Sequence, residues 1–202
     1  FEATVRCCTQ NGVRGGSATV HFPIWHQEIE DIMVLKNNKG TEDNRVRKLD
    51  YSIQISKLFY ERFIKDEEIT LFSPHETPGL YEAFGMPEFD EMYEMYERKT
   101  SISKKKIRAQ ELFMNLLKER AETGRIYIMN IDHCNTHSSF KDKVYMSNLC
   151  QEITLPTTPV QHIDDEDGEI ALCILSAVNL GLIRDKDDLE ELCDLSVRAL
   201  DE

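Results

Sequence analysis

The chain has 202 residues, 41% hydrophobic and 30% charged, the balance of a soluble globular domain with a real core. A formal net charge of −13 argues against a nucleic-acid groove or an anionic lipid surface, although Arg45, Arg47 and Lys48 leave room for a local phosphate pocket. No stretch reaches the ~20 apolar residues of a membrane helix, no signal-peptide pattern opens the chain, and six sparse cysteines point to a reducing cytoplasm, where a disulfide is catalytic rather than structural.

In chain order, Gly12-Val13-Arg14-Gly15-Gly16 reads as a flexible glycine-rich loop. It feeds an extended run, Ala18 to Phe22, ended by Pro23. Trp25, Ile29, Ile32 and Met33 follow at helical spacing, and Asn37 to Gly40 close that helix with turn chemistry. Tyr51 to Ile55 predicts a strand, Lys57 to Lys65 a helix and Ile69 to Phe72 another short strand. Glu88 to Arg98 and Lys105 to Glu122 predict two helices, the second ending at Gly124. Ile126 to Ile131 and Ile170 to Leu175 are nearly all apolar, as strands covered on both faces are. A last helix begins after Asp185 and carries Leu189, Leu192, Leu195 and Leu200. Strand and helix alternate, so the fold class is α/β with buried parallel strands. No linker or repeat marks an internal boundary, and residues 1–202 are taken as one domain segment. The opening on Phe1 and the uncapped end suggest a piece of a longer polypeptide or of a split one.

Four constellations could carry chemistry. If Ser147 to Ile153 is extended, Asn148, Cys150 and Glu152 share a face, and an amide, a thiol and a carboxylate converge as a nucleophile or radical site with its base. On spacing alone a packed core cysteine is the commoner use of such a thiol. Cys173 sits in an apolar run and reads first as core. His133-Cys134-Asn135-Thr136-His137 hints at metal, but no further cluster completes a tetrahedral set, and a hydrogen-bonded strand-to-loop turn is the better reading. Gln10 to Gly16 offers glycines for close backbone approach and one Arg fork, without the spacing of a P-loop or dinucleotide turn. The acidic run Asp164 to Asp167 reads as a solvated turn rather than a calcium loop.

Together these pieces resemble the large, catalytic subunit of class I ribonucleotide reductase. The resemblance rests on Gln10-x-Gly12-Val13-Arg14-Gly15-Gly16, Val34-Leu35-Lys36-Asn37-Asn38-Lys39-Gly40, Leu71-Phe72-Ser73-Pro74-His75, Gly124 to Ile128, Asp132 to Ser138, Ser147-Asn148-Leu149-Cys150-x-Glu152-Ile153 and Gly168 to Ala177, in the family's order along the whole chain. It implies part of a ten-stranded α/β barrel with a central finger loop, Cys150 at its tip. It also implies roles: Cys150 as the thiyl radical that takes the 3′ hydrogen of the ribose, Glu152 as the base for the 3′ hydroxyl, Asn148 as a sugar ligand. Cys173 becomes one of two cysteines that reduce the 2′ position and end as a disulfide, its partner lying outside this segment. Gln10 and Arg14 become contacts of the loop that relates effector to substrate; Asn11 stands where relatives carry Gly, and Asn is the residue best able to hold that conformation.

The resemblance implies a cytoplasmic oxidoreductase that converts ribonucleoside diphosphates to deoxyribonucleotides. Its effectors are dNTPs and ATP, and thioredoxin or glutaredoxin supplies the electrons. Implied partners are a small subunit that provides the radical, a second large subunit and the remaining large-subunit segments. No metal or cofactor is expected on this chain, nor any nucleic-acid or membrane partner, and the segment alone is expected to be inactive. The alternatives are a cobalamin-dependent reductase, a catalytically inactive nucleotide-binding paralogue, or a metal module on His133, Cys134 and His137.

Overall fold

The computed structural model describes residues 1–201, and at Gln10 the backbone alone. The chain falls into two compact units, residues 1–156 and 157–202. In the first, α1 (Glu2–Cys7) precedes a small hairpin of β1 (Thr9–Gln10) and β2 (Arg14–Gly15). Next come β3 (Thr19–Pro23), α2 (Ile29–Met33), β4 (Asp50–Ile55), α3 (Lys57–Ile64), β5 (Glu68–Phe72) and α4 (Leu80–Ala83). They are followed by α5 (Phe89–Arg98), β6 (Lys104–Arg108), α6 (Ala109–Thr123), β7 (Ile126–Asn130) and α7 (Ile131–Thr136).

The α/β class holds: β3, β4 and β7 form a parallel sheet in that order, with His21 opposite Ser52 and Ser52 opposite Tyr127. Among the described residues the sheet has three strands and does not close into a barrel. Paired residues point to the same side, so the two faces can be read from the register. Phe22, Ile53, Ile55, Ile126 and Ile128 face α3 and α6 and bury against Phe59, Leu112 and Leu116. At ~1.5–3 kcal/mol per fully buried side chain this face supplies much of the unit's stability. The opposite face carries Thr19, His21, Ser52, Gln54, Tyr127 and Met129.

Three expectations change. The helix assigned to Trp25 starts only at Ile29, because the backbone at Trp25–Gln27 bonds to Phe72 instead: Phe72 N–H donates to Trp25 O (2.8 Å) and Gln27 N–H to Phe72 O (2.8 Å). Trp25 is still buried, edge-on to Phe84. The helix expected from Lys105 begins at Ala109, since Lys104–Arg108 pairs antiparallel with β5, burying Ile107 and leaving Lys105 and Lys106 outward. Lysines on an outer strand are an ordinary guard against further pairing.

The third concerns residues 157–202. Ile170 to Leu175, expected as a buried strand, forms no ladder; Ile170, Leu172 and Leu175 are 71%, 76% and 78% exposed. An apolar run without a neighbouring strand has no partner for its backbone groups and cannot become a strand by itself. Among the described residues this unit holds one isolated bridge, Thr158 to Glu169, a single turn at Leu180–Leu182, and α8 (Lys186–Asp201). Asp165 accepts from the N–H groups of Gln161 and Asp167, so the acidic run is a turn closed on its own backbone.

Candidate functional site

The residues around Cys150 lie across the polar face of the parallel sheet, and they form a turn rather than a strand. Asn148 N–H donates to Ile153 O (3.3 Å) and Gln151 N–H to Asn148 O (3.2 Å). Ile153 N–H returns a bond to Asn148 Oδ1 (3.1 Å), and Ser147 Oγ donates to both Asn148 Oδ1 and Ile153 O. Gln151 takes φ +67°, a left-handed conformation that closes the reversal. The i, i+2, i+4 alternation therefore does not hold here. Cys150 and Glu152 are exposed on this turn, and Asn148 is half-buried at its start. The Asn148 carbonyl oxygen is committed to the turn, which leaves its amide hydrogens as the groups able to reach a ligand.

The turn is braced from beneath. Thr19 Oγ1 donates to Leu149 O (2.7 Å), Gln151 Nε2 donates to Ser52 Oγ (2.9 Å), and Gln54 Nε2 donates to Tyr145 O (2.5 Å). Ser52 and Gln54 are fully buried. His21 lies among them, and burial pushes its pKa below the ordinary value, with the Ser147 backbone opposing.

The motif Asp132 to His137 also serves this turn. Asp132 accepts from Lys57 N–H at the start of α3. Asn135 clamps the chain on its way to the turn: Nδ2 donates to Val144 O (3.1 Å) while Oδ1 accepts from Val144 N–H (2.9 Å). Close packing here needs Gly85 (φ +85°), where a Cβ would stand 2.7 Å from the Ile131 side chain. Lys143, pushed down to about 8 by burial, donates to the carbonyls of Tyr81 and Glu82 and lies over the Tyr145 ring. Cys134 packs against the apolar cluster around Trp25 and Phe84, and burial raises its pKa. Among the described residues no group of three or more His, Cys, Asp or Glu is spaced to hold a metal ion. His133 to Thr136 lie in α7, a short helix directly after β7, rather than in the strand-to-loop turn read from the sequence. Beside it, Asn130, His133, His137, Gln151 and Thr154 line an open cleft of about 350 Å³.

The glycine-rich loop is a short hairpin. Gln10 pairs with Arg14, and Asn11 (φ +52°) and Gly12 (φ +71°) make the reversal, so Asn does hold the left-handed position. Arg14 is exposed, and the Gln10 side chain lies outside the described residues. Gly16 donates to Cys8 O, and a Cβ there would meet that oxygen at 2.6 Å. Cys173 belongs to residues 157–202 and is an exposed free thiol. Thr19, His21, Ser52 and Gln54 were not singled out from the sequence. Their signal was available: polar residues at period two on strands whose alternate positions are apolar.

The whole chain, residues 1–202, matches the ribonucleotide reductase barrel domain. It belongs to that family. It is 59% identical to the ribonucleoside-diphosphate reductase subunit alpha of Haemophilus influenzae and 58% to that of Buchnera aphidicola from Schizaphis graminum, across all of this chain and 27% of each relative. The ribonucleoside-diphosphate reductase 1 subunit alpha of Escherichia coli is 56% identical over 79% of the chain and 22% of its own length. The chain thus spans about a quarter of the curated relatives it matches. No described helix is long and apolar enough to cross a membrane.

Proposed function

We propose that this segment carries the radical cysteine of a ribonucleoside-diphosphate reductase alpha subunit and acts within the complete ten-stranded barrel, in the cytoplasm. The observation that supports the reading is the turn from Ser147 to Ile153 that leaves Cys150 and Glu152 exposed, within a chain that matches the reductase barrel domain throughout. A thiyl radical at Cys150 takes the 3′ hydrogen of the ribose, forming S–H and leaving the radical on carbon. Glu152 accepts the 3′-hydroxyl proton, and Asn148 donates to the sugar. The 2′ hydroxyl leaves as water. Cys173 and a second thiol supply two electrons and two protons and end as a disulfide; Cys150 then returns its hydrogen to the 3′ carbon, which restores the thiyl radical, Glu152 returns its proton to the 3′ oxygen, and thioredoxin or glutaredoxin reduces the disulfide.

The relatives' name, subunit alpha, implies a partner subunit, and this favours a radical delivered from a small subunit over a cobalamin-dependent enzyme. We further assign Gln10 and Arg14 to the loop through which dNTP or ATP effectors tune substrate choice in a large-subunit dimer. The test is Cys150→Ser in the complete alpha subunit assayed with its small subunit. A hydroxyl O–H is too strong a bond to carry the radical, so turnover is abolished while nucleoside diphosphate and dNTP binding persist. Appreciable deoxynucleotide formation by this variant would remove Cys150 from the mechanism.

A further inference from the structure

The residues on either side of Cys150 are both tied to the sheet, and by side chains that have no part in the chemistry assigned above. Leu149, immediately before it, is held through its carbonyl by Thr19 on β3. Gln151, immediately after it, reaches down to Ser52 on β4. Thr19 and Ser52 stand on neighbouring strands and on the same face, since Thr19 pairs with Asp50 and His21 with Ser52. The Cys150 α-carbon is therefore suspended between two anchors on two strands of a hydrogen-bonded sheet.

Two features mark this as more than incidental packing. Gln151 is a non-glycine residue at φ +67°, a conformation that costs on the order of 1 kcal/mol and persists only where surrounding contacts impose it. Its side chain is bonded to the sheet beneath, at Ser52. Ser52 is fully buried, where an apolar residue would ordinarily sit, and its hydroxyl meets that same side chain.

We propose that Thr19, Ser52 and Gln151 are positioning residues that set where the Cys150 thiol stands relative to the ribose; the proposal rests on the radical role of Cys150. Hydrogen transfer is steeply sensitive to donor–acceptor distance. A displacement of about 1 Å can cost as much as ~10²-fold in rate even when the substrate still binds.

The experiment uses the complete alpha subunit with its small subunit, and compares Thr19→Val, Thr19→Ser and Gln151→Ala. Each is assayed with a ribonucleoside diphosphate and with the same substrate deuterated at C3′. Thr19→Val keeps the shape and removes the donor; Thr19→Ser keeps the donor. We expect kcat to fall about ten- to a hundred-fold in Thr19→Val and Gln151→Ala with substrate Kd within about two-fold. The 3′-deuterium isotope effect on kcat should rise as hydrogen abstraction becomes limiting, and Thr19→Ser should restore most of both. A folding defect would instead lower the active fraction and leave the isotope effect where it was. That result, or wild-type kcat in Thr19→Val, overturns the proposal. Because the radical role is tested separately by Cys150→Ser, an inactive Cys150→Ser beside an unaffected Thr19→Val would remove the anchors and keep the radical cysteine.

Discussion

The two cysteines assigned to the chemistry sit in contrasting surroundings. Cys150 lies on a turn closed by five internal hydrogen bonds and held from beneath by Thr19, Ser52 and Gln54. Cys173 lies in an apolar run whose neighbours Leu172 and Ile174 are 76% and 63% exposed and make no strand. A turn can be specified by its own polar side chains and one sheet face. An all-apolar run cannot, because only strands beside it and layers above and below satisfy its backbone and cover its side chains. The first thiol is thus placed by contacts within this chain, whereas the second is an exposed thiol on a run that pairs with no strand among the described residues.

The largest effect that would sharpen this contrast is all-or-none. In the assembled enzyme, a single round of turnover without added reductant should convert Cys173 to a disulfide with a cysteine outside this segment, while Cys150 is recovered as a thiol. Peptide mapping that found Cys173 still reduced would return it to a packing role.

Next in size is a matched pair of truncations. Leu112 is fully buried under the sheet, and Leu112→Ala should cost about 2–5 kcal/mol in urea unfolding of the 202-residue chain. Leu172→Ala should cost less than ~0.5 kcal/mol there, because its side chain is 76% exposed and little is lost. In the complete alpha subunit, if the barrel covers this run, Leu172→Ala should approach the Leu112 value. Equal, small costs for Leu172→Ala in both contexts would mean the run stays uncovered and that the barrel reading of residues 170–175 is wrong.

What could be read from the sequence divides along the same line. The bounds of β4, β5, β7, α3, α5 and α8 follow from local periodicity and fall within a residue or so of expectation. The start of α6 did not, because Lys104–Arg108 has helical neighbours in sequence but a strand partner in space. Trp25 behaved the same way, its backbone captured by Phe72. At the candidate site, motif and order single out Cys150, Glu152 and Asn148, but the expected alternation is replaced by a turn whose left-handed residue is Gln151 rather than a glycine. The bracing hydroxyls and amides went unread because a polar residue on a strand is ordinarily solvent-facing, and only the turn lying on top makes Ser52 and Gln54 interior.

The smallest effect separates two ion pairs, one in each unit. Arg62 and Glu97 join α3 to α5 through two parallel bonds of 2.6 Å, and Thr70 Oγ1 adds a third to the same carboxylate. The Arg62 guanidinium also stacks over Tyr93, whose hydroxyl is bonded into β5 at Thr70. Burial alone would raise the Glu97 pKa, but the hydrogen bonds from Arg62 and Thr70, with the Arg62 charge, outweigh it and hold the carboxyl below its ordinary 4.5. A carboxylate lowered on folding stabilises the fold above the unfolded value and loses that contribution as pH falls through the folded one. Glu97→Gln should therefore cost about 1–3 kcal/mol at pH 7, since it leaves Arg62 without a counter-charge in a half-buried site. The cost should shrink as the wild type is acidified below about pH 4.5, where its own carboxylate is being protonated. Arg184 and Asp188 make a pair of similar length at 2.6 Å, yet Arg184 is 79% exposed and the pair spans one turn at the start of α8. The Asp188 side chain is 12% exposed, but its partner is free in solvent, so Asp188→Asn should lower the unfolding midpoint at neutral pH by less than Glu97→Gln does. Urea midpoints measured for both variants between pH 3 and 7 decide the matter. A pH-independent loss in Glu97→Gln would show that its carboxylate serves as a hydrogen-bond acceptor whose charge contributes nothing.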